Sequence, residues 1–285
     1  LNADVKASTR VYGVVGYPVA HSLSPRMHNA ALRAEAIDGV YVAFPVEPGH
    51  LHRALEGLAA AGVGGVNVTV PHKEEAAKLC TVWTPEARRA GAVNTIRFGA
   101  NGIHGHNTDG LGFVRAAEHL IGGVSGKQVL VLGSGGAGRG IASALSAAGA
   151  SVTVANRTPE KAAALARDLH LLDDAVVDWD PHHLVAAAAR ADLVVNASSA
   201  GMGNKGAVPL DFQKLKSLVP AMPAVADLVY HPLRTFFLEQ AAAAGCQTQD
   251  GLVMLASQGE LSFEFWHGRP APQGVMEKTL RIMLA

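Results

Sequence analysis

Three stretches of this chain carry side chains whose types and spacing suit chemistry. In Val66-Asn67-Val68-Thr69-Val70-Pro71-His72-Lys73-Glu74-Glu75, an alternating strand pattern stops at Pro71 and Lys73 falls in the first turn of a helical pattern. The N-terminal end of a helix carries partial positive charge, so a cation is disfavoured there. Read alone, Lys73 is compensated by Glu74 and Glu75 and turned to water. Held beside an acid from another segment, it would form a charged pair able to handle a proton. Asp109, which opens a helical run in Gly105-His106-Asn107-Thr108-Asp109-Gly110, is the candidate acid; read alone, it suits a helix N-cap. Thr69, Asn94, Thr108 and Gln258 also fall at or near the ends of elements, where capping or solvation explains each singly.

The second stretch is Lys127–Thr158, in which an apolar strand leads into Gly133-Ser134-Gly135-Gly136-Ala137-Gly138, a small-residue helix and another strand. This is G-x-G-x-x-G in the context the motif requires. Gly133 allows the tight turn, Gly135 the approach of a pyrophosphate and Gly138 close helix–strand packing, with the helix N-terminus facing the anion. The second strand ends in Asn156-Arg157-Thr158, with no acid before Glu160. An NAD site places Asp or Glu there for the ribose 2′-hydroxyl. An arginine instead suits a 2′-phosphate, so the pattern points to NADP.

The third stretch is His21-Ser22-Leu23-Ser24-Pro25-Arg26-Met27-His28-Asn29. Ser24-Pro25 reads as an N-cap followed by proline at the first helical position. Ser22 and Ser24 also offer hydroxyls beside a positive helix end, which suits a carboxylate.

These residues need elements to hold them. Short β-branched runs alternate with helical patterns, the signature of βα units and parallel sheet. Strands are expected near 11–16, 40–46, 65–70 and 92–98, with helices near 25–36, 48–61 and 71–79. Gly99-Ala100-Asn101-Gly102 reads as a hairpin turn leading to a short strand with His104 and His106. A second block begins at Asp109, with strands expected at 128–132, 152–155, 175–177, 193–196, 224–228 and 246–249. From Gly251 onward the pattern is helical. Two α/β domains follow, with the cofactor domain in the middle.

The bulk composition excludes several classes. The 285 residues are 49% hydrophobic and 17% charged, which is globular and not disordered. Lys+Arg and Asp+Glu each number 24, so no basic footprint of a nucleic-acid binder is present. No apolar run has membrane-spanning length, and the first residues show no apolar signal region. Cys80 and Cys246 do not make a disulfide scaffold, and a reducing cytoplasm is the simplest setting. The 13 histidines lack HExxH or Cys-rich spacing, so no metal site is expected. With no G-x-S-x-G elbow, covalent hydrolase chemistry is unsupported.

Together these motifs resemble the shikimate dehydrogenase family, in family order and over nearly the whole chain. The residues that carry the resemblance are SLSPRMHN (22–29), NVTVPHK (67–73), GAVNT (91–95), GHNTDG (105–110), GSGGAGR (133–139), NRT (156–158), NASSAGM (196–202), DLVYHPLRTFFL (227–238) and GLVMLASQ (251–258). Four positions depart from the family pattern: Ser198 for threonine, Gly138 for alanine or serine, and Gly259-Glu260 for small apolar residues.

The resemblance implies two domains: an α/β substrate domain over 1–108 plus 251–285, and a Rossmann-type doubly wound NADP-binding domain over 109–250. It implies reversible, NADPH-dependent reduction of 3-dehydroshikimate to shikimate in chorismate and aromatic amino-acid biosynthesis. Lys73 and Asp109 are then the catalytic pair. Ser22 and Ser24 hold the substrate carboxylate with Tyr230 nearby, and Thr69, Asn94, Asp109 and Gln258 hold the ring hydroxyls. Gly133, Ser134, Gly135, Gly136 and Ala137 cradle the pyrophosphate. Asn156, Arg157 and Thr158 hold the 2′-phosphate, and Met202, Leu228 and Gly251 form the nicotinamide side. The expected partners are the small-molecule substrate alone, in a cytoplasmic monomer or homodimer. Three alternatives stay open: an NAD-linked quinate/shikimate dehydrogenase, reduction of an amino analogue of the ring, and a non-catalytic ligand sensor.

Overall fold

The computed structural model of the chain describes residues 5–172, 174–198, 200 and 208–284. It divides into two compact units, one of Leu1–Thr108 with Ala256–Ala285 and the other of Asp109–Leu255.

In the first unit the chain runs β1 (Arg10–Gly16), α1 (Ser24–Ala34), β2 (Gly39–Pro45), α2 (Leu51–Ala60), β3 (Gly65–Val68), α3 (Lys73–Leu79), β4 (Val82–Trp83), α4 (Pro85–Ala90), β5 (Thr95–Gly99) and β6 (Gly102–His106). The sheet order is β2-β1-β3-β5-β6-β4. β1 pairs in parallel with β2 and β3, whereas β5 is antiparallel to β3 and β6. The Gly99–Gly102 hairpin forms as the sequence indicates, with those two residues paired. One face buries Val15, Val66 and Ile96 against Leu51 and Leu55 of α2. Thr84 caps α4 by accepting from Ala87 N, and Gly91 closes it at φ 62°.

The second unit continues with α5 (Asp109–Ile121), β7 (Gln128–Leu132), α6 (Gly136–Ala147), β8 (Ser151–Ala155), α7 (Pro159–Asp168), β9 (Val176–Val177), α8 (Pro181–Ala188), β10 (Leu193–Asn196), α9 (Phe212–Lys216), β11 (Ala224–Asp227), α10 (Phe236–Ala244) and β12 (Thr248–Gln249). Its six-stranded sheet is parallel throughout, in the order β12-β11-β10-β7-β8-β9. The first strand of the unit lies centrally and the path reverses between β7 and β10, which is the doubly wound dinucleotide-binding order. Burial on both faces explains the unbroken apolar strands. Val129 and Val131 pack with Phe113, Ile141 and Leu145 on one side. Leu130 and Leu132 pack with Leu184, Phe212 and Phe237 on the other. The α/β class and the Rossmann-type sheet expected from the sequence are both present.

The tail is α11 (Gly251–His267) and α12 (Val275–Leu284), separated by a Gly- and Pro-containing turn. The division of units falls within α11, after Leu255. Its first turn stays with the second unit because Gly251 N donates to Val229 O at 3.3 Å. In the first unit α12 packs on α1, and Trp266 Nε1 donates to Ile96 O at 2.9 Å.

Several sequence expectations shift. β3 ends at Val68, and Thr69 and Val70 lead into the turn before α3. β5 begins at Thr95, although the Asn94 backbone still bonds to His106 O and Val68 N. β12 is confined to Thr248–Gln249, whereas the sequence pattern extends back to Cys246. β4 and α4 are additions, too short to give a periodic signal. Ser24 is not an N-cap: α1 starts at Ser24 itself, Leu23 holds the cap position and no side chain caps it. Asp109 likewise is the first helical residue of α5 and not a residue before it.

Behind the first sheet His28 stacks on Tyr41, with ring centroids 4.4 Å apart, and Trp266 and His267 complete the aromatic cluster. Burial holds the His28 imidazole down to about 3, aided by His267. His267 is held at about 4 by burial, with Arg269 and Arg10 adding repulsion. Both rings are therefore neutral when folded. An unfolded chain protonates them below about pH 6.5, whereas the folded chain does so only near their depressed values. Stability is thus fully present above about pH 6.5 and is lost as the pH falls through about 6 to 4. For the enclosed His28 the expected slope is about 1.4 kcal/mol per pH unit. Denaturant titrations from about pH 7 to 4.5 should show His28→Phe with a shallower loss than the unmodified chain; identical slopes would refute this.

Candidate active site

In the first unit, the residues singled out by the sequence surround one buried polar net. Lys73 opens α3 and is half-buried; its carbonyl accepts Val93 N at 2.9 Å. The preceding His72 is buried, and its Nε2 lies 2.7 Å from Val46 O just beyond β2, which fixes where the helix begins. Thr69 N donates to Val15 O at 2.9 Å, so Thr69 sits beyond the paired ends of β1 and β3.

Asn94 is 2% exposed, and its side chain clasps Thr108. Asn94 Oδ1 accepts Thr108 N at 2.8 Å, and its Nδ2 donates to Thr108 Oγ1 at 2.9 Å. Its neighbour Thr95 joins the net: Asn67 Nδ2 contacts Thr95 Oγ1 at 3.1 Å and Ser262 Oγ at 2.9 Å. Tyr41 Oη donates to Asn67 Oδ1 at 2.8 Å. Burial pushes the Tyr41 phenol well up, and a hydrogen bond with Ser24 partly offsets it. Ser262 Oγ donates to Gln258 O at 2.9 Å. Ser22 Oγ accepts Ser24 N at 3.2 Å. Ser22, Ser24, Asn94 and Gln258, far apart in sequence, are thereby tied to one net, and Lys73 is tied to it through Val93. Thr108 leads directly into Asp109.

In the second unit, the carboxyl edge of the parallel sheet carries the glycine loop. Gly133 has φ 114°, and a Cβ there would lie 2.9 Å from Ser198 N. At Gly138 a Cβ would lie 2.0 Å from Gly133 O, so the departure to glycine at this position closes the loop tightly. Gly135 and Gly136, by contrast, face open space at the N-terminus of α6, with no side-chain cap on that helix. Ala137 is exposed beside them. Ser134 N donates to Asn156 Oδ1 at 3.2 Å, and Asn156 Nδ2 donates to Thr158 O at 3.0 Å. Asn156 thus joins the glycine loop to the exposed Arg157 and Thr158. Ser134 Oγ is buried and has no partner. An orphaned hydroxyl, open glycines and helix-start amides together fit the phosphates of a dinucleotide.

Leu228 N donates to Asn196 O at 3.0 Å, and a Cβ on Gly251 would lie 2.3 Å from Leu228 O. Leu228 and Gly251 are therefore in backbone contact at the same edge of the sheet. Tyr230, 38% exposed, follows on that segment. Met202 lies outside the described residues.

One group of metal-ligating types at close range stands apart, formed by Asp178, Asp180 and His183. Asp180 already caps α8, accepting from His182 N and His183 N at 3.0 and 3.2 Å, and pairs with the His183 ring. Sequence reasoning missed Asn67, Tyr41, Ser262 and Asp227 as supports of the site. Asn67 and Asp227 had a signal, since each is a polar residue in an otherwise apolar strand.

Three family models match the chain: the shikimate dehydrogenase substrate binding domain over residues 14–96, shikimate / quinate 5-dehydrogenase over 115–203, and the shikimate 5′-dehydrogenase C-terminal domain over 251–281. A shikimate dehydrogenase (NADP(+)) of Geobacter sp. (strain M21) is 43% identical, over 99% of this chain and 98% of that protein. The crystal structure of shikimate 5-dehydrogenase from Thermus thermophilus in complex with NADP(H) and shikimate superposes with a TM-score of 0.83 at 41% identity, covering 96% of this chain and 99% of that one. Quinate dehydrogenase from Corynebacterium glutamicum in complex with NAD shares the fold with a TM-score of 0.84 at 30% identity, covering 96% and 99%.

The polar net yields a stability test. Tyr41→Phe removes the hydroxyl that donates to the buried Asn67 Oδ1. An acceptor left unpaired in a buried setting costs about 1–3 kcal/mol. A loss of that size is expected in chemical denaturation, and a variant as stable as the parent would show that the net does not depend on Tyr41.

Proposed function

The chain belongs to the shikimate dehydrogenase family, and on that premise we propose that it catalyses the reversible, NADPH-dependent reduction of 3-dehydroshikimate to shikimate, a step of chorismate and aromatic amino-acid biosynthesis. The observation that carries the cofactor choice is the end of β8. Asn156 is bonded to the glycine loop, Arg157 is exposed beside it, and no acid stands at 156–158. The substrate follows from family membership and from full-length relatives that bear this activity in their names.

When bound, NADPH supplies the hydride that reduces the ketone. Negative charge then develops on the ketone oxygen, and a proton must arrive there. Lys73 stabilises that charge, and Lys73 with Asp109 delivers the proton. Ser22 and Ser24, with Tyr230, bind the carboxylate. Thr69, Asn94, Asp109 and Gln258 bind the ring hydroxyls, and the clasp on Thr108 supports Asn94 in that role. Gly133 to Ala137 bind the pyrophosphate, and Asn156, Arg157 and Thr158 the 2′-phosphate. Met202, Leu228 and Gly251 line the nicotinamide side. In this reading the substrate domain comprises 1–108 with the tail helices, and the NADP-binding domain the intervening segment. The two unpaired cysteines, Cys80 and Cys246, support a cytoplasmic setting, in which we read the chain as a monomer or homodimer.

Absorbance at 340 nm, with shikimate and quinate each paired with NADP and NAD, tests the reading directly. Turnover confined to shikimate and NADP is expected. Turnover of quinate with NAD would move the chain to the quinate branch. Binding without turnover would make it a sensor. Lys73→Ala should cut kcat by about 100-fold or more and change KM little, as for an interaction made mainly in the transition state; undiminished turnover would remove Lys73 from the mechanism. Arg157→Ala should raise the Kd for NADPH by about ten-fold and leave NADH nearly unchanged, since only NADPH carries the 2′-phosphate. Equal losses for both would exclude Arg157 from the phosphate site.

A further inference from the structure

Asp227 ends β11 and is 1% exposed; among the described residues no other Asp, Glu, Lys or Arg is so enclosed. Its Oδ1 accepts from Val229 N and Asn196 Nδ2, each at 3.0 Å, and its Oδ2 from Thr235 Oγ1 at 2.7 Å. Each partner is fixed as a donor. Val229 offers a backbone amide. Asn196 Oδ1 is taken by Ser198 N at 3.2 Å and Ser198 Oγ at 2.7 Å, which turns its Nδ2 toward Asp227. Thr235 Oγ1 already accepts Leu238 N at 3.3 Å, so its own proton serves the carboxylate. Three donors converge on one group, an arrangement that favours its ionised form. Burial leaves this acid raised from its ordinary value, although the three donors act against that push.

The group stands at the carboxyl edge of the sheet. Asp227 pairs in register with Asn196, and Asn196 with Leu132, which precedes Gly133. Asp227 therefore lies two strands from the glycine loop, at the carboxyl edge where doubly wound sheets bind dinucleotides. The next residue, Leu228, touches Gly251.

We propose that Asp227 acts on the dinucleotide through its buried negative charge, favouring the oxidised form, whose nicotinamide ring is cationic, over the reduced form, whose ring is neutral. This rests on the reading above that Leu228 and Gly251 flank the nicotinamide. Asp227 is a positioning residue in this role, since its contacts are Asn196, Val229 and Thr235 and not the reacting atoms.

The test compares Kd values of the full chain for NADP+, by calorimetry, and for NADPH, by fluorescence. Asp227→Asn keeps the shape and removes the charge. It should raise Kd for NADP+ relative to NADPH by about five-fold, the scale of a long-range effect of one unit charge. Thr235→Val removes two hydrogen bonds, to Asp227 and from Leu238 N, and keeps the carboxylate, so it should leave the ratio unchanged. Equal weakening of both forms by Asp227→Asn, or the same ratio shift from Thr235→Val, would overturn the proposal in favour of a purely structural role. If thermal melts show that Asp227→Asn does not fold, Asp227→Ser, which leaves room for water on the three donors, serves the same comparison. An unmodified chain that binds neither dinucleotide would overturn the functional reading itself, and is told apart because it fails before any variant is made.

Discussion

Buried side-chain amides and hydroxyls are tolerated only when their hydrogen bonds close, and the first unit is organised around that constraint. Asn67, Thr95, Thr108, Ser262 and Asn94 lie within a few residues of solvent-facing turns, yet all are enclosed. A half-satisfied net at this depth would be worse than an apolar core. Its closure needs strands β3 and β5, the residue that ends the first block, and a serine from the tail helix α11. The net therefore fixes long-range geometry through local chemistry. Moving Ser262 breaks bonds at Asn67 and Thr95, and through them the clasp of Asn94 on Thr108. An asparagine held on both its oxygen and its nitrogen has little freedom to reorient, which suits the hydroxyl-binding role proposed for Asn94.

The second unit meets the same constraint with charge. The carboxyl edge of its sheet is lined by ends of strands whose side chains cannot pack as a core does. Asn196 and Asp227 stand side by side there and satisfy each other. Thr235 closes the set and also caps α10, so the loop between β11 and α10 is anchored at its two ends by one carboxylate and one hydroxyl. The backbone that follows Asp227 approaches Gly251 closely enough to require glycine. Rigid support behind a ligand-facing edge is the general demand of a site that must hold a cofactor in one pose.

Much of this is legible in the sequence, for identifiable reasons. β7 and the glycine loop stand out because burial on both faces leaves an unbroken apolar run, and the loop needs glycines at fixed offsets. The start of α1 misleads because Ser24-Pro25 obeys two local preferences at once, whereas the helix extends one residue further back and Ser22 Oγ takes the Ser24 amide. β4 and α4 leave no trace because elements of two and six residues show no period. The support residues escape for a different reason. Tyr41 and Ser262 have ordinary neighbours in sequence, and their meaning comes from a shared partner, Asn67, 26 and 195 residues away along the chain. Periodicity reports which face a residue occupies and not whom it meets there.

The cofactor selection proposed for the end of β8 rests on what is absent there as much as on what is present. A 2′-phosphate brings nearly two negative charges, and a carboxylate at 156–158 would repel them over a few ångströms. The first acid after β8 is Glu160, and it lies in the first turn of α7, where the helix field favours it and where it is exposed to water. Solvent screens a charge so placed. Asn156, meanwhile, spends its carbonyl on Ser134 N and its amide on Thr158 O, which leaves the turn neutral and braced. Arg157 is then the single formal charge at 156–158, with its neighbours held in place by Asn156. An aspartate at 156 would still accept Ser134 N but would lose the bond to Thr158 O and add a negative charge, so in the proposed reading the preference against NAD lies in the charge pattern of these three residues.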